Sequence, residues 1–155
     1  MKIHRMEEIW LIFGVAIIVI SMAITGYQAF AFDMEPPSGT EHIDPKKVDE
    51  IAPFDNLGVF KTGDNTYEVV MTLQVFSFTP NEIEIPKGAE VTFIMTSKDV
   101  VHGFQVAGTN LNAMIVPGYV QRITQTFDEP GEYLVLCNEY CGAGHQAMAT
   151  TITVK

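Results

Sequence analysis

Near the C-terminus, the stretch Cys137-Asn138-Glu139-Tyr140-Cys141-Gly142-Ala143-Gly144-His145-Gln146-Ala147-Met148 brings two thiols, an imidazole and a thioether together at the spacing C-x3-C-x3-H-x2-M. All four are soft or borderline donors, a set that selects copper over magnesium, calcium or manganese. A one-copper site of this type needs one Cys, one His and a Met, with a second His from an earlier strand. This loop holds one thiol more than that. Two thiolates four residues apart on a turning loop can bridge a pair of metals, and each metal then needs a terminal imidazole. His102, in Asp99-Val100-Val101-His102-Gly103-Phe104, is the candidate for the second. A disulfide between Cys137 and Cys141 is the competing reading for a domain in an oxidising compartment. Zinc is a weaker one, because structural zinc sites rarely use Met.

Such a loop needs a rigid frame. Glu132 to Leu136 before it and Ala149 to Val154 after it read as strands, so a sheet would set where both loop ends lie. Gly142 and Gly144 allow a tight turn between the second Cys and the His. Upstream, strand patterns recur at Tyr67–Val75, Glu82–Ile85, Val91–Thr96, Gly103–Val106 and Tyr119–Phe127. Turn residues such as Gly63-Asp64-Asn65, Thr79-Pro80-Asn81 and Asp128-Glu129-Pro130-Gly131 separate them. Many short strands in one compact region predict a mainly β fold, a small Greek-key sandwich or barrel.

The N-terminal third is different. Ile9 to Phe32 carries no charge, and at about 1.5 Å per residue it is long enough to cross a hydrocarbon core of roughly 30 Å. Trp10 and Tyr27 stand near its two ends, where amphipathic rings favour the interface. Lys2 and Arg5 precede the run, and Asp33, Glu35 and Glu41 follow it, which predicts a cytoplasmic N-terminus and an external domain. A cleaved signal peptide competes, since Ala29-Phe30-Ala31 resembles a processing site. The predicted organisation is a tail at 1–8, a transmembrane helix at 9–32, a linker with a short helix at 33–60, and the β domain at 61–155. The short helix would open with Asp44 as N-cap and Pro45 at N1 and run through about Ile51.

Net charge is -10, and the acidic excess lies after Phe32. Such a domain repels nucleic acid, so none is expected as a partner, and it attracts a basic protein. No Ser/His/Asp order, phosphate loop or carboxylate pair points to bond-making catalysis.

The copper loop, with Phe76-Ser77-Phe78, Pro86-Lys87-Gly88-Ala89-Glu90, Val101-His102-Gly103-Phe104 and Pro130-Gly131-Glu132-Tyr133, resembles the CuA domain of cytochrome c oxidase subunit II. The single membrane segment makes it most similar to the B-family of haem–copper oxidases. The resemblance covers nearly all of Tyr67 to Lys155. It implies a cupredoxin-like fold and a dinuclear copper centre bridged by Cys137 and Cys141. His102 and His145 would be terminal ligands, with Met148 and the Glu139 carbonyl as weak ones. It also implies an electron relay from a basic cytochrome c to a haem-bearing subunit I, where oxygen is reduced. Three further roles are expected from it: an exposed aromatic at Phe76 or Phe78 that receives electrons, Mg2+ at a subunit interface through Glu139, and proton uptake through Glu7 at the cytoplasmic mouth of the helix. Phe76 and Phe78, two apart, would share a face of a strand. Two alternatives remain open: a free membrane-anchored copper protein, and the CuA domain of a nitrous oxide reductase, for whose large catalytic domain this chain has no room; the intact ligand set argues against a quinol oxidase subunit.

Overall fold

The computed structural model describes residues 4–31 and 41–155, which form two units: an N-terminal helix and a β domain. The expected stretch of linker at 33–40 lies outside the described residues.

Helix α1 runs Arg5–Ala31, is apolar and long enough to cross a membrane, and none of its residues is buried. An apolar helix with every side exposed is the pattern of a membrane span. The helix starts earlier than its apolar run: Glu7 and Glu8 occupy its first turn, where carboxylates favour the helix dipole. They are therefore helical residues. The Trp10 ring meets Phe13 edge-on at 5.8 Å.

In the β domain, ten strands among the described residues form two sheets. The first has the order β1-β2-β5-β8, with β3 paired to the end of β2, and the second β4-β10-β9-β6-β7. The strands are β1 Gly58–Lys61, β2 Thr66–Gln74, β3 Ser77–Thr79, β4 Glu82–Ile85, β5 Glu90–Ser97, β6 His102–Val106, β7 Asn112–Ile115, β8 Gln121–Thr126, β9 Gly131–Leu136 and β10 Ala149–Val154. β2 pairs with β5 in parallel, as does β4 with β10; the other named pairs are antiparallel. Val69, Met71, Leu73, Phe93 and Met95 from the first sheet meet Ile83, Phe104, Val106, Ile115, Val135 and Ile152 from the second in one core. This is the mainly β sandwich that the strand pattern predicts. β1, β3 and β7 were not among the predicted strands; each is three or four residues long, and of the strands that short only β4, with its strict Glu-Ile-Glu-Ile alternation, was read from the sequence.

β2 reads as a continuous apolar run because both of its faces are covered. Val69, Met71 and Leu73 point between the sheets, while Val70 joins Val48, Phe54, Ile94 and Val120 in a second cluster. The segment from Glu41 to Leu57 supplies that outer layer, so from residue 41 the stretch expected as a linker is part of the domain. Its Ile43 N–H bonds Gly118 O, and Glu41 O accepts from Val120 N–H. Ion pairs Arg122–Glu41 at 3.1 Å and Lys98–Asp49 at 2.5 Å lie at its edges. Exposed pairs contribute well under about 1 kcal/mol each, whereas burying Val48 and Phe54 contributes about 1.5–3 kcal/mol per side chain. Apolar burial holds this segment down.

The expected helix after Asp44 is shorter than its signals suggested. Asp44 Oδ1 does accept Lys46 N–H at 3.0 Å, but only one 3-10 turn, Val48–Glu50, follows. Pro53 disfavours helical backbone at Ala52, and the chain bends there to bury Phe54.

Candidate metal centre

The loop from Cys137 to Met148 closes on itself, with Cys137 N–H bonded to Met148 O at 3.1 Å. Antiparallel pairing of Leu136 with Ala149 continues that closure into β9 and β10. Within the loop, one 3-10 turn at His145–Ala147 presents the imidazole. Cys137, Cys141 and Met148 are buried and belong to the main core. A thiol or thioether is apolar enough to be buried at little cost.

The donor atoms converge. Cys137 Sγ lies 3.6 Å from Cys141 Sγ; both cysteines are free thiols, so the disulfide reading fails. On one side His102 Nδ1 stands 3.9 Å from Cys137 Sγ, and the Glu139 carbonyl oxygen lies 3.2 Å from the same sulfur. On the other side His145 Nδ1 and Met148 Sδ lie 3.5 and 3.7 Å from Cys141 Sγ. Donor atoms of His102, Cys137 and Cys141 all fall within 4.8 Å of one another. Two sulfurs in the middle with one imidazole beyond each are a set of soft and borderline donors, the kind that suits copper.

His102 reaches this cluster because β6 runs against the loop. Gly103 makes that approach feasible: a Cβ there would stand 2.6 Å from Asn138 N and 2.8 Å from Glu139 N, besides colliding with the Asn138 amide oxygen. Its N–H also donates to Cys137 Sγ at 3.4 Å. The expected role of the loop glycines holds for Gly142, whose φ is +131. Gly144 has φ -98, which any residue adopts. What Gly144 provides is space, since a Cβ would come 2.6 Å from the Phe76 ring.

Phe76 therefore lies over the loop, and it is 41% exposed. Phe78 is buried at 3%, its ring 6.0 Å from Phe104 in the core. The two do not share a face: Phe76 sits in the turn between β2 and β3, and only Phe78 is in a strand. Tyr140 is 79% exposed, with its ring 5.8 Å from the half-buried His145. Glu7 belongs to the helical unit and is not part of this cluster.

Asp99 is a member of the site that the motif did not reveal. Its Oδ1 lies 2.8 Å from His102 Nε2. Burial raises the carboxyl, but hydrogen bonds from Val75 N–H, His102 and Val100 N–H, with the His102 charge, outweigh it and hold Asp99 below its ordinary 3.8. The available signal was a carboxylate three residues before a candidate ligand His, a pairing that recurs around bound metals. Burial, with the neighbouring Cys137 thiol, pushes the Cys141 thiol up to about 11.

The chain matches known proteins over most of its length. Residues 63–155 fit the family described as cytochrome c oxidase subunit II, periplasmic domain. A cytochrome c oxidase subunit 2 of Thermus thermophilus is 41% identical over 153 residues, covering 96% of this chain and 91% of that one. A second Thermus thermophilus subunit 2 is 46% identical over 122 residues, or 77% and 90% of the two chains. A chain from the cryo-EM structure of a haem–copper terminal oxidase dimer superposes with a TM-score of 0.83 at 33% identity, covering 97% and 100%.

A thiol at about 11 keeps its proton at neutral pH, so metal uptake must displace it. Titrating the metal-free chain with Cu(I) should release protons. The apparent affinity should fall about tenfold per displaced proton for each unit that pH drops below 8. An affinity that is flat across about pH 6 to 8 would show thiolates already formed, contrary to this account.

Proposed function

This chain belongs to the cytochrome c oxidase subunit II family, and we propose that Cys137 and Cys141 bridge a dinuclear copper centre of the CuA type in it. The carrying observation is the 3.6 Å approach of two buried sulfurs, with an imidazole beyond each of them. His102 and His145 serve as the terminal imidazoles, and Met148 and the Glu139 carbonyl as weak outer donors. When bound, the copper pair supplies a one-electron store shared between two metals. The chain's own part is to keep that store rigid and dry. β6, β9 and β10 fix the donor positions, Gly103 lets β6 close on the loop, and Phe76 shields the loop from above. Donors that cannot move lower the reorganisation needed for each electron.

The protein is a copper-binding, membrane-attached subunit of a haem–copper oxidase, and its role there is electron uptake. In our reading its donor is a basic cytochrome c, steered by the acidic domain. Its acceptor is haem in subunit I, which reduces oxygen to water. α1 crosses the bilayer with the N-terminus cytoplasmic and the copper domain on the outer face, as the flanking charges favour. The match across 96% of the chain to an oxidase subunit disfavours a free copper carrier. Phe76, exposed over the loop, is the electron-receiving aromatic in place of the buried Phe78. The Glu139 carboxylate is a hard donor suited to Mg2+ at a subunit interface. Glu7, in the first turn of α1, collects protons for the oxygen chemistry of the partner subunit.

Loaded with copper, the full chain should hold two coppers and show an electron resonance spectrum of one unpaired electron spread over two copper nuclei. A four-line single-copper spectrum sinks the dinuclear reading, and replacing Cys137 or Cys141 with Ser should abolish the shared signal. In the assembled oxidase, manganese resonance present with Glu139 and lost in Glu139→Gln tests the interfacial cation.

Turnover of the same oxidase separates the two surface roles. Phe76→Ala should slow copper reduction by the donor, and Glu7→Gln should slow oxygen reduction while leaving copper reduction alone. Wild-type rates in either variant remove the role from that residue.

A further inference from the structure

α1 is apolar along its length but not evenly around it. From Ile9 to Ala31, the aliphatic side chains that carry a hydroxyl or amide are Ser21, Thr25 and Gln28. At about 100° per residue, these three project within a sector only about 60° wide. The same sector takes in Glu7 in the first turn and both glycines of the helix, Gly14 and Gly26. The opposite side carries Ile12, Ala16, Val19, Ile20 and Ala23.

Neither glycine serves the chain itself. Glycine is the poorest helix former after proline, and neither position has the positive φ that would call for it. A Cβ at Gly14 or Gly26 would meet nothing within 4 Å. In a membrane span, a missing side chain lets the backbone of another helix come close. The polar groups on this side point the same way. Thr25 Oγ1 donates to Ser21 O at 2.9 Å, which leaves its lone pairs, the Ser21 hydroxyl and the Gln28 amide able to bond beyond the helix. Hydrocarbon offers such groups no partner, so they turn towards protein.

Two kinds of helix could cover this face. A second copy, laid parallel across a two-fold axis, would set Glu7 against Glu7 at the same depth, like charge facing like charge. A helix of a different chain brings no such conflict, and the family to which this chain belongs is one of oxidase subunits.

We propose that the face of α1 formed by Gly14, Ser21, Thr25, Gly26 and Gln28 docks against a transmembrane helix of the haem-bearing subunit, one that offers hydrogen-bonding side chains at the depths of Ser21 and Thr25. The choice of partner rests on the oxidase reading above; the face itself follows from α1 alone. Docked in this way, Glu7 turns towards the partner, and Glu8 lies about 100° round from it.

The test uses the assembled oxidase, purified in mild detergent through a tag on this chain, with haem recovered per chain as the readout. Gly14→Leu and Gly26→Leu should each lower that ratio by about five- to tenfold, the scale of one interhelical contact. Ala16→Leu and Ala23→Leu, which enlarge the opposite side, should leave it at the wild-type value. The β-sheet circular dichroism of each variant checks that the domain folds. A photo-crosslinking side chain placed at Ser21 should join this chain to the haem-bearing subunit, and one placed at Val19 should not. Equal haem ratios in the two sets of variants, or a crosslink from Val19 instead of Ser21, overturn the face while the oxidase reading stands. A Ser21 crosslink to a second copy of this chain overturns the proposal in favour of self-association. If no haem-bearing chain is recovered with the wild type, the oxidase reading falls and the docking with it.

Discussion

One backbone hydrogen bond, from Cys137 N–H to Met148 O, decides the geometry of the site. It closes the loop at the point where β9 ends and β10 begins, so the loop inherits the spacing of a paired β-ladder rather than the freedom of a surface connection. Everything that follows uses that closure. Cys137, the first sulfur, is buried where the strand leaves the sheet. Met148 returns under it, also buried, and Cys141 is left between them, 3.6 and 3.7 Å from their sulfur atoms.

The site and the core are one body of side chains. The sulfur donors count among the buried apolar residues of the sandwich, which is feasible because thiols and thioethers lose little on leaving water. His102 is the exception, as an imidazole does lose its water contacts. Asp99 compensates for that loss, and the carboxylate stays partly exposed, where its charge is cheaper to keep. The polar cost of a buried donor is thus moved one residue outward, to the rim.

The second apolar layer, outside the first sheet, has a different task. With Val48 and Phe54 covering Val70 and Ile94, β2 and β5 are packed on both faces. Strands so held resist bending, and β5 leads through Ser97 into the Asp99 to His102 segment. Rigidity at one face of the sandwich is in this way passed to the donors at its end. For a centre whose work is to gain and lose single electrons, unmoving donors are the protein's main contribution.

The candidate donors were legible in the sequence because side-chain type is a local property: C-x3-C-x3-H-x2-M points to a class of metal by its atoms. Seven of the strands and the apolar span were legible too, since periodicity and length are local properties. Strands β1, β3 and β7 and the packing of residues 41–57 were not, because each depends on what lies across from it. Phe76 and Phe78 show the limit most clearly. Two identical residues two apart look equivalent in a sequence, yet one roofs the loop and the other fills the core, since the chain turns between β2 and β3. Gly103 carries no signal of its own, the turn role read for Gly144 is not the space it provides, and the spacing of Asp99 to His102 is a signal that only the fold makes specific. Their roles arise only when β6, the Val75–Phe76 corner and the loop approach one another, and an approach between distant segments is decided by packing in three dimensions.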